Sequence, residues 1–143
     1  MATVELRFSP LPEHVRTARL VAAAVARRAG VDEAVLDEVR LAVGEACSRA
    51  VGLHQAGGIT APVLVALIEE EKQFSIEVGD EAPHAIAAVP GAPGAADDPD
   101  LEGEDEMGLA VISGLVDDVE VTADADGGRI RMSWPTLPAT LLP

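Results

Sequence analysis

The sequence predicts an α+β domain, a two-layer sandwich in which a mixed, mostly antiparallel sheet carries helices on one face. Three observations predict it. Apolar and polar residues alternate over the short runs 3–8 and 130–134, the period of strands with one buried face. Between them, residues 35–50 repeat apolar positions at spacings of three and four, the period of a helix. The implied order of strand, helix, helix, strand, strand, loop, helix, strand, strand does not alternate strictly, which disfavours a doubly wound parallel sheet. At 143 residues and 48% hydrophobic, the chain suits one domain over 1–143 that buries roughly two-thirds of its unfolded surface.

Residues 3–8 (TVELRF) form the first predicted strand, and Pro10 and Pro12 punctuate the entry to a helix. From Glu13 to Ala29 the chain is rich in Ala and Arg with no Gly or Pro, and Gly30 supplies a C-terminal stop. Asp32 is a good N-cap for a second helix, along which Val35, Leu36, Val39, Ala42, Val43, Ala46, Cys47 and Ala50 form an apolar stripe. Gly57 and Gly58 end it. Two runs of β-formers follow, Pro62 to Ile68 and Gln73 to Val78, joined by the acidic turn 69–72 as a hairpin. Residues 89–106 hold three prolines, three glycines and seven acids, the composition of a mobile loop. An apolar helical run (108–116), a strand from Val119 to Thr122, a Gly127-Gly128 turn and a strand from Ile130 to Trp134 complete the domain, with a frayed tail over 136–143.

The formal charge of -15 is unevenly spread. Residues 1–72 carry 10 acids and 8 bases, whereas 73–128 carry 15 acids and no Lys or Arg. Direct binding to a nucleic-acid backbone through that half would set like charge against like, so a nucleic-acid binder is disfavoured and a basic protein surface fits better. Only Phe8, Phe74 and Trp134 are aromatic, so platforms for stacking bases are nearly absent. The single cysteine, Cys47, leaves no internal disulfide and reads as a small buried hydrophobe. No signal pattern opens the chain and no apolar run approaches the roughly 20 residues of a membrane span, so the expectation is a cytoplasmic protein without membrane partners. His14, His54 and His84 are scattered and read as surface or packing residues rather than a metal set.

Four features in order carry a resemblance. They are Glu45 on the second helix with a polar residue four later, Val78-Gly79-Asp80 followed by Ala82-Pro83, the flexible loop, and Met107-Gly108-Leu109 opening a run to Leu115-Val116-Asp117. Over about residues 3–134 they resemble the anti-sigma-factor kinases of the GHKL (Bergerat-fold) ATPase superfamily. These are bacterial proteins that bind a sigma factor and, when active, phosphorylate an antagonist on Ser or Thr. The resemblance implies that fold, with 89–106 as the lid over a nucleotide. It also implies ATP and Mg²⁺ as cofactors of an active form, a sigma factor and a STAS-type anti-anti-sigma protein as partners, and a homodimer pairing through the sheet region near the N-terminus.

Carried over residue by residue, Glu45 matches the family's proposed general base, but Arg49 stands where an Asn holds Mg²⁺. Asp80 and Pro83 match the motif whose Asp accepts a hydrogen bond from the adenine amine, but Ala82 replaces its glycine. Gly108 and Leu109 keep part of the phosphate-lining motif, in which Glu106 replaces a glycine. Mg²⁺ takes oxygen ligands and a guanidinium offers no lone pair, so no metal ligand is expected at Arg49. An Ala where positive φ or close backbone approach is needed brings strain or excludes the ligand. A carboxylate at position 106 opposes anion binding in a stretch without bases.

The remnant pocket is therefore Arg49, Asp80, Ala82, Gly108 and Leu109, with Glu45 catalytic only if the protein is active. Simpler readings stand beside it: Glu45 and Arg49 as an exposed helix pair, Asp80 as a turn residue, Gly108 as a helix-start glycine, the acidic loop as a solvated connector. Three functions compete. One is a non-catalytic anti-sigma regulator in a partner switch; the second is an active Mg-ATP-dependent Ser/Thr kinase of an anti-anti-sigma protein; the third is a scaffold with no transcriptional role.

Overall fold

A computed structural model describes residues 2–83, 111–116 and 118–136. The predicted lid 89–106, the residues Glu106, Gly108 and Leu109, and the tail beyond Thr136 lie outside the described residues. The elements are β1 (Ala2–Phe8), α1 (Glu13–Ala29), a 3-10 turn (Glu33–Val35), α2 (Leu36–Ala56), β2 (Val63–Glu69), β3 (Gln73–Asp80), β4 (Asp118–Asp124) and β5 (Gly127–Pro135). Residues 111–115 are helical, with Ile112 and Val116 buried.

The strands order as β1-β2-β3-β5-β4, and every pairing is antiparallel, so the mixed element of the expected sheet is absent among the described strands. Period-2 alternation assigns the faces. Val63, Val65 and Leu67 of β2, Phe74, Ile76 and Val78 of β3, and Ile130, Met132 and Trp134 of β5 all turn to the helices and are buried. On β1, Val4, Leu6 and Phe8 lie opposite Leu67, Val65 and Val63 and extend the same face to the edge. The other face carries charge, with Arg131 bridging Glu70 at 3.0 Å and Glu77 at 3.6 Å.

Both helices cover the apolar face through small side chains, which lets the layers approach closely in a core nearly without aromatics. Val39, Ala42, Val43, Ala46, Cys47 and Ala50 on α2 and Ala18, Ala22 and Ala26 on α1 are buried. α1 ends at the predicted stop: Gly30 adopts the left-handed conformation (φ 101°) and its N–H caps the Ala26 and Arg27 carbonyls. Asp32 does cap, accepting from Ala34 N at 3.0 Å, but it starts the 3-10 turn and α2 begins only at Leu36.

The last hairpin corrects one expectation. The turn falls on Ala125 and Asp126, and both Gly127 and Gly128 belong to β5. Gly127 is needed there for another reason: a Cβ on it would run into the Asp80 carbonyl oxygen. The hairpin thus leans on the end of β3, where the candidate site begins.

Candidate functional site

The site is built where the C-terminal half of α2 passes over the end of β3. Asp80 is the last residue of β3 and, by alternation from Ile76 and Val78, faces the helices; its side chain is 2% exposed. Arg49 rises from α2 with its side chain 9% exposed, and its Nη1 lies 3.8 Å from Asp80 Oδ2. At that separation the contact is an ion pair rather than a hydrogen bond. Asp80 Oδ1 accepts the Ala82 N–H at 3.0 Å. Both carboxylate oxygens are therefore engaged by the protein itself, as burial of a charge requires.

A second tether from the same helix fixes the next residue. His54 is fully buried; its Nε2 accepts the Glu81 N–H at 2.9 Å and its Nδ1 lies 2.9 Å from the Ala61 carbonyl oxygen. A backbone N–H only donates and a carbonyl only accepts, so the ring is neutral with the proton on Nδ1. Sequence alone sets His54 among scattered surface or packing residues, and the structure gives it two bonds at the site. A signal is present in the sequence, since His54 lies four residues after Ala50 and continues the apolar stripe of α2.

Glu45 is half-buried on α2, one turn before Arg49. No ion pair joins the two, so the helix-pair reading is replaced: Arg49 reaches across to β3, and Glu45 has no hydrogen bond or ion pair among the described residues. Ala82 is 5% exposed. The expected backbone strain there is absent, because no non-glycine residue among those described has positive φ. What remains is the bulk of one methyl group. Cys47, one turn from the site, is buried, and desolvation pushes its thiol from 9.0 up to about 12, which makes it inert as a nucleophile. Among the described residues no three His, Cys, Asp or Glu side chains gather as metal ligands, and no helix is long and apolar enough to cross a membrane.

The sheet covered on one face by two helices belongs to a chain that matches a known domain. A family model of the histidine kinase-like ATPase domain matches residues 8–134. The chain belongs to this family. The anti-sigma F factor of Clostridium acetobutylicum is 30% identical over 129 residues, covering 87% of each chain. The fold also resembles a crystal structure of the RsbU and RsbW domains of a Mycobacterium tuberculosis protein, with a TM-score of 0.68 at 16% identity. That superposition covers 97% of this chain and 33% of the longer one. In this histidine kinase-like ATPase domain, Arg49 and Asp80 meet on the side of the sheet that the helices cover. An open cleft of about 390 Å³ lies at the same end of β3, where Gly79 leaves a gap between Leu64 and Arg129 and where Asp80 and Glu81 contribute to the lining.

Proposed function

We propose that this chain is an anti-sigma regulatory protein of the partner-switching kind, which binds a sigma factor, a STAS-type anti-anti-sigma protein or both, and in which ATP binding and phosphotransfer are lost or weakened. The Clostridium relative's description as an anti-sigma factor supports the partner class. The observation that carries the loss is Arg49. In an active member this position supplies an oxygen to Mg²⁺; here it holds a buried guanidinium, which has no lone pair and brings a positive charge to the place of the ion. The donor set does not fit the metal.

The acidic segment 97–106 adds to this reading, since a lid without bases has no counter-charge for phosphates and instead suits a basic partner surface. A homodimer formed through the sheet is part of the same proposal. It is supported by β2, whose outward residues Leu64, Ala66 and Ile68 are apolar although the helices cover only the other face.

Titration calorimetry with Mg-ATP tests the proposal together with a phosphotransfer assay on STAS proteins of the source organism and binding assays on its sigma factors. The expected result is no saturable nucleotide heat, no phosphoprotein, and stable binding to a sigma factor or a STAS protein. A micromolar dissociation constant for Mg-ATP, or transfer of phosphate to a STAS protein, overturns it in favour of the active kinase with Glu45 as base.

A further inference from the structure

We propose that His54 is a proton-sensitive latch, and that acidification releases the Glu81–Ala82 corner beside Asp80 while the sheet stays folded. The fully buried ring joins α2 to two other segments. Its Nε2 accepts the Glu81 N–H and its Nδ1 donates to the Ala61 carbonyl oxygen, each at 2.9 Å. An added proton goes to Nε2, the nitrogen that holds the lone pair, and turns it into a donor facing the Glu81 donor. The bond to Ala61 survives this change, and the bond to Glu81 does not. The protonated ring therefore fits only with the latch open, so the open and closed states differ by one proton.

Two features keep the opening local. β3 is laddered to β2 as far as Gly79 and to β5 as far as Asp80, so release of Glu81 stops where those ladders begin. What comes loose is the backbone between Asp80 and Ala82, whose N–H bonds Asp80 Oδ1 at 3.0 Å. The charged groups on the elements that meet at the ring are few. α2 brings Arg49, and the end of β3 brings Asp80 and Glu81; the loop 57–62 and the first residues of β2 bring none. Arg49 and Asp80 carry opposite charges 3.8 Å apart, so their fields at the ring offset each other in part. Glu81 is exposed, and its charge is screened by solvent. The latch does not depend on the function proposed above.

The test is amide hydrogen exchange by NMR on the full chain from about pH 7.5 to about pH 5.5, with each rate divided by that of a free amide at the same pH. An imidazole exposed by opening takes its proton near pH 6.5. Protection of the Glu81 N–H is therefore expected to fall by about tenfold per pH unit below that point, while the slow amides at the centre of β3 and β5 keep theirs. His54→Gln, whose amide donates and accepts without titrating, is expected to flatten the dependence; His54→Asn takes its place if His54→Gln melts non-cooperatively. Glu81→Gln, a change at an exposed side chain, is expected to retain it. Glu81 protection that ignores pH in wild type overturns the latch. A fall shared by the central strand amides overturns it in favour of global acid unfolding. A fall that persists in the folded His54 variant, or that disappears in Glu81→Gln, overturns it by assigning the proton to another group.

Discussion

His54 Nε2 accepts the backbone N–H of Glu81 at 2.9 Å while Nδ1 donates to the Ala61 carbonyl oxygen, so one imidazole ties the end of α2 to two other segments. Truncation to Ala would remove both part-buried bonds and open a cavity where the fully buried ring stood. The expected cost for His54→Ala is about 3 kcal/mol or more by urea unfolding. His54→Phe refills the volume without the bonds and is expected to recover only part of it. Two-dimensional ¹⁵N–¹H spectra of the ring are expected to show the proton on Nδ1; a proton on Nε2 would contradict the bond to Glu81.

Cys47 gives the stability a pH dependence with a definite sign. Its thiol is pushed from 9.0 up to about 12 by burial among the apolar residues of α2. Below pH 9 both the folded and the unfolded chain carry the thiol, and nothing is lost. Between 9 and 12 the unfolded chain is a thiolate while the folded one keeps its proton, so stability falls by about 1.4 kcal/mol per pH unit from this group. Melting temperatures of wild type and Cys47→Ala from pH 8 to about 10.5 are expected to diverge in slope, with the excess alkaline loss confined to wild type. Native Cys47 is also expected to resist iodoacetamide until the chain unfolds.

Most of the fold is legible in the sequence because its punctuation is local. Pro12 and Gly30 bracket α1 at the residues where it begins and ends. The 69–72 turn joins two runs of β-formers into the observed hairpin. The ends of the strands are less legible, since Gly79 and Asp80 look like a turn until β5 pairs with both. Gly127 and Gly128 mislead for a related reason: the glycine at 127 answers to the Asp80 carbonyl, a neighbour 47 positions away in the chain, and not to a turn. At the site, Arg49 and Asp80 are each marked by their positions in motifs, but their ion pair spans two elements and has no period to announce it. His54 sits in plain view on the stripe of α2, its role hidden because its partners are backbone atoms.

Two glycine substitutions are expected to move stability in opposite directions. A Cβ at Gly127 meets the carbonyl of Asp80, which is backbone and cannot rotate away, so Gly127→Ala must displace the hairpin or the end of β3. A loss of about 2 kcal/mol or more is expected on the scale of overpacked sites. Gly52 lies within α2, and a methyl group added there would meet nothing within 4 Å, so Gly52→Ala restores helix propensity at no steric cost. A gain of about 0.5–1 kcal/mol is expected. Denaturant midpoints of the two variants check both signs.

Ile112 tests whether the helical segment 111–115 is part of the cooperative fold. It is fully buried in the same cluster as Val43 and Met132, while Val111 beside it is 44% exposed. If the segment docks as firmly as the helices do, Ile112→Ala is expected to cost about 2–5 kcal/mol, in the range of other large-to-small core changes, and Val111→Ala well under about 1 kcal/mol. Equilibrium unfolding followed by Trp134 fluorescence reads both, because Trp134 belongs to the same buried cluster. A near-neutral Ile112→Ala would mean that the segment opens separately from the sheet, at a free energy below that of global unfolding. Hydrogen exchange separates the two cases. The Val116 N–H, bonded to the Ile112 carbonyl at 2.9 Å, is expected to exchange with the slow amides of β3 and β5 if docking is cooperative, and much faster if it is not.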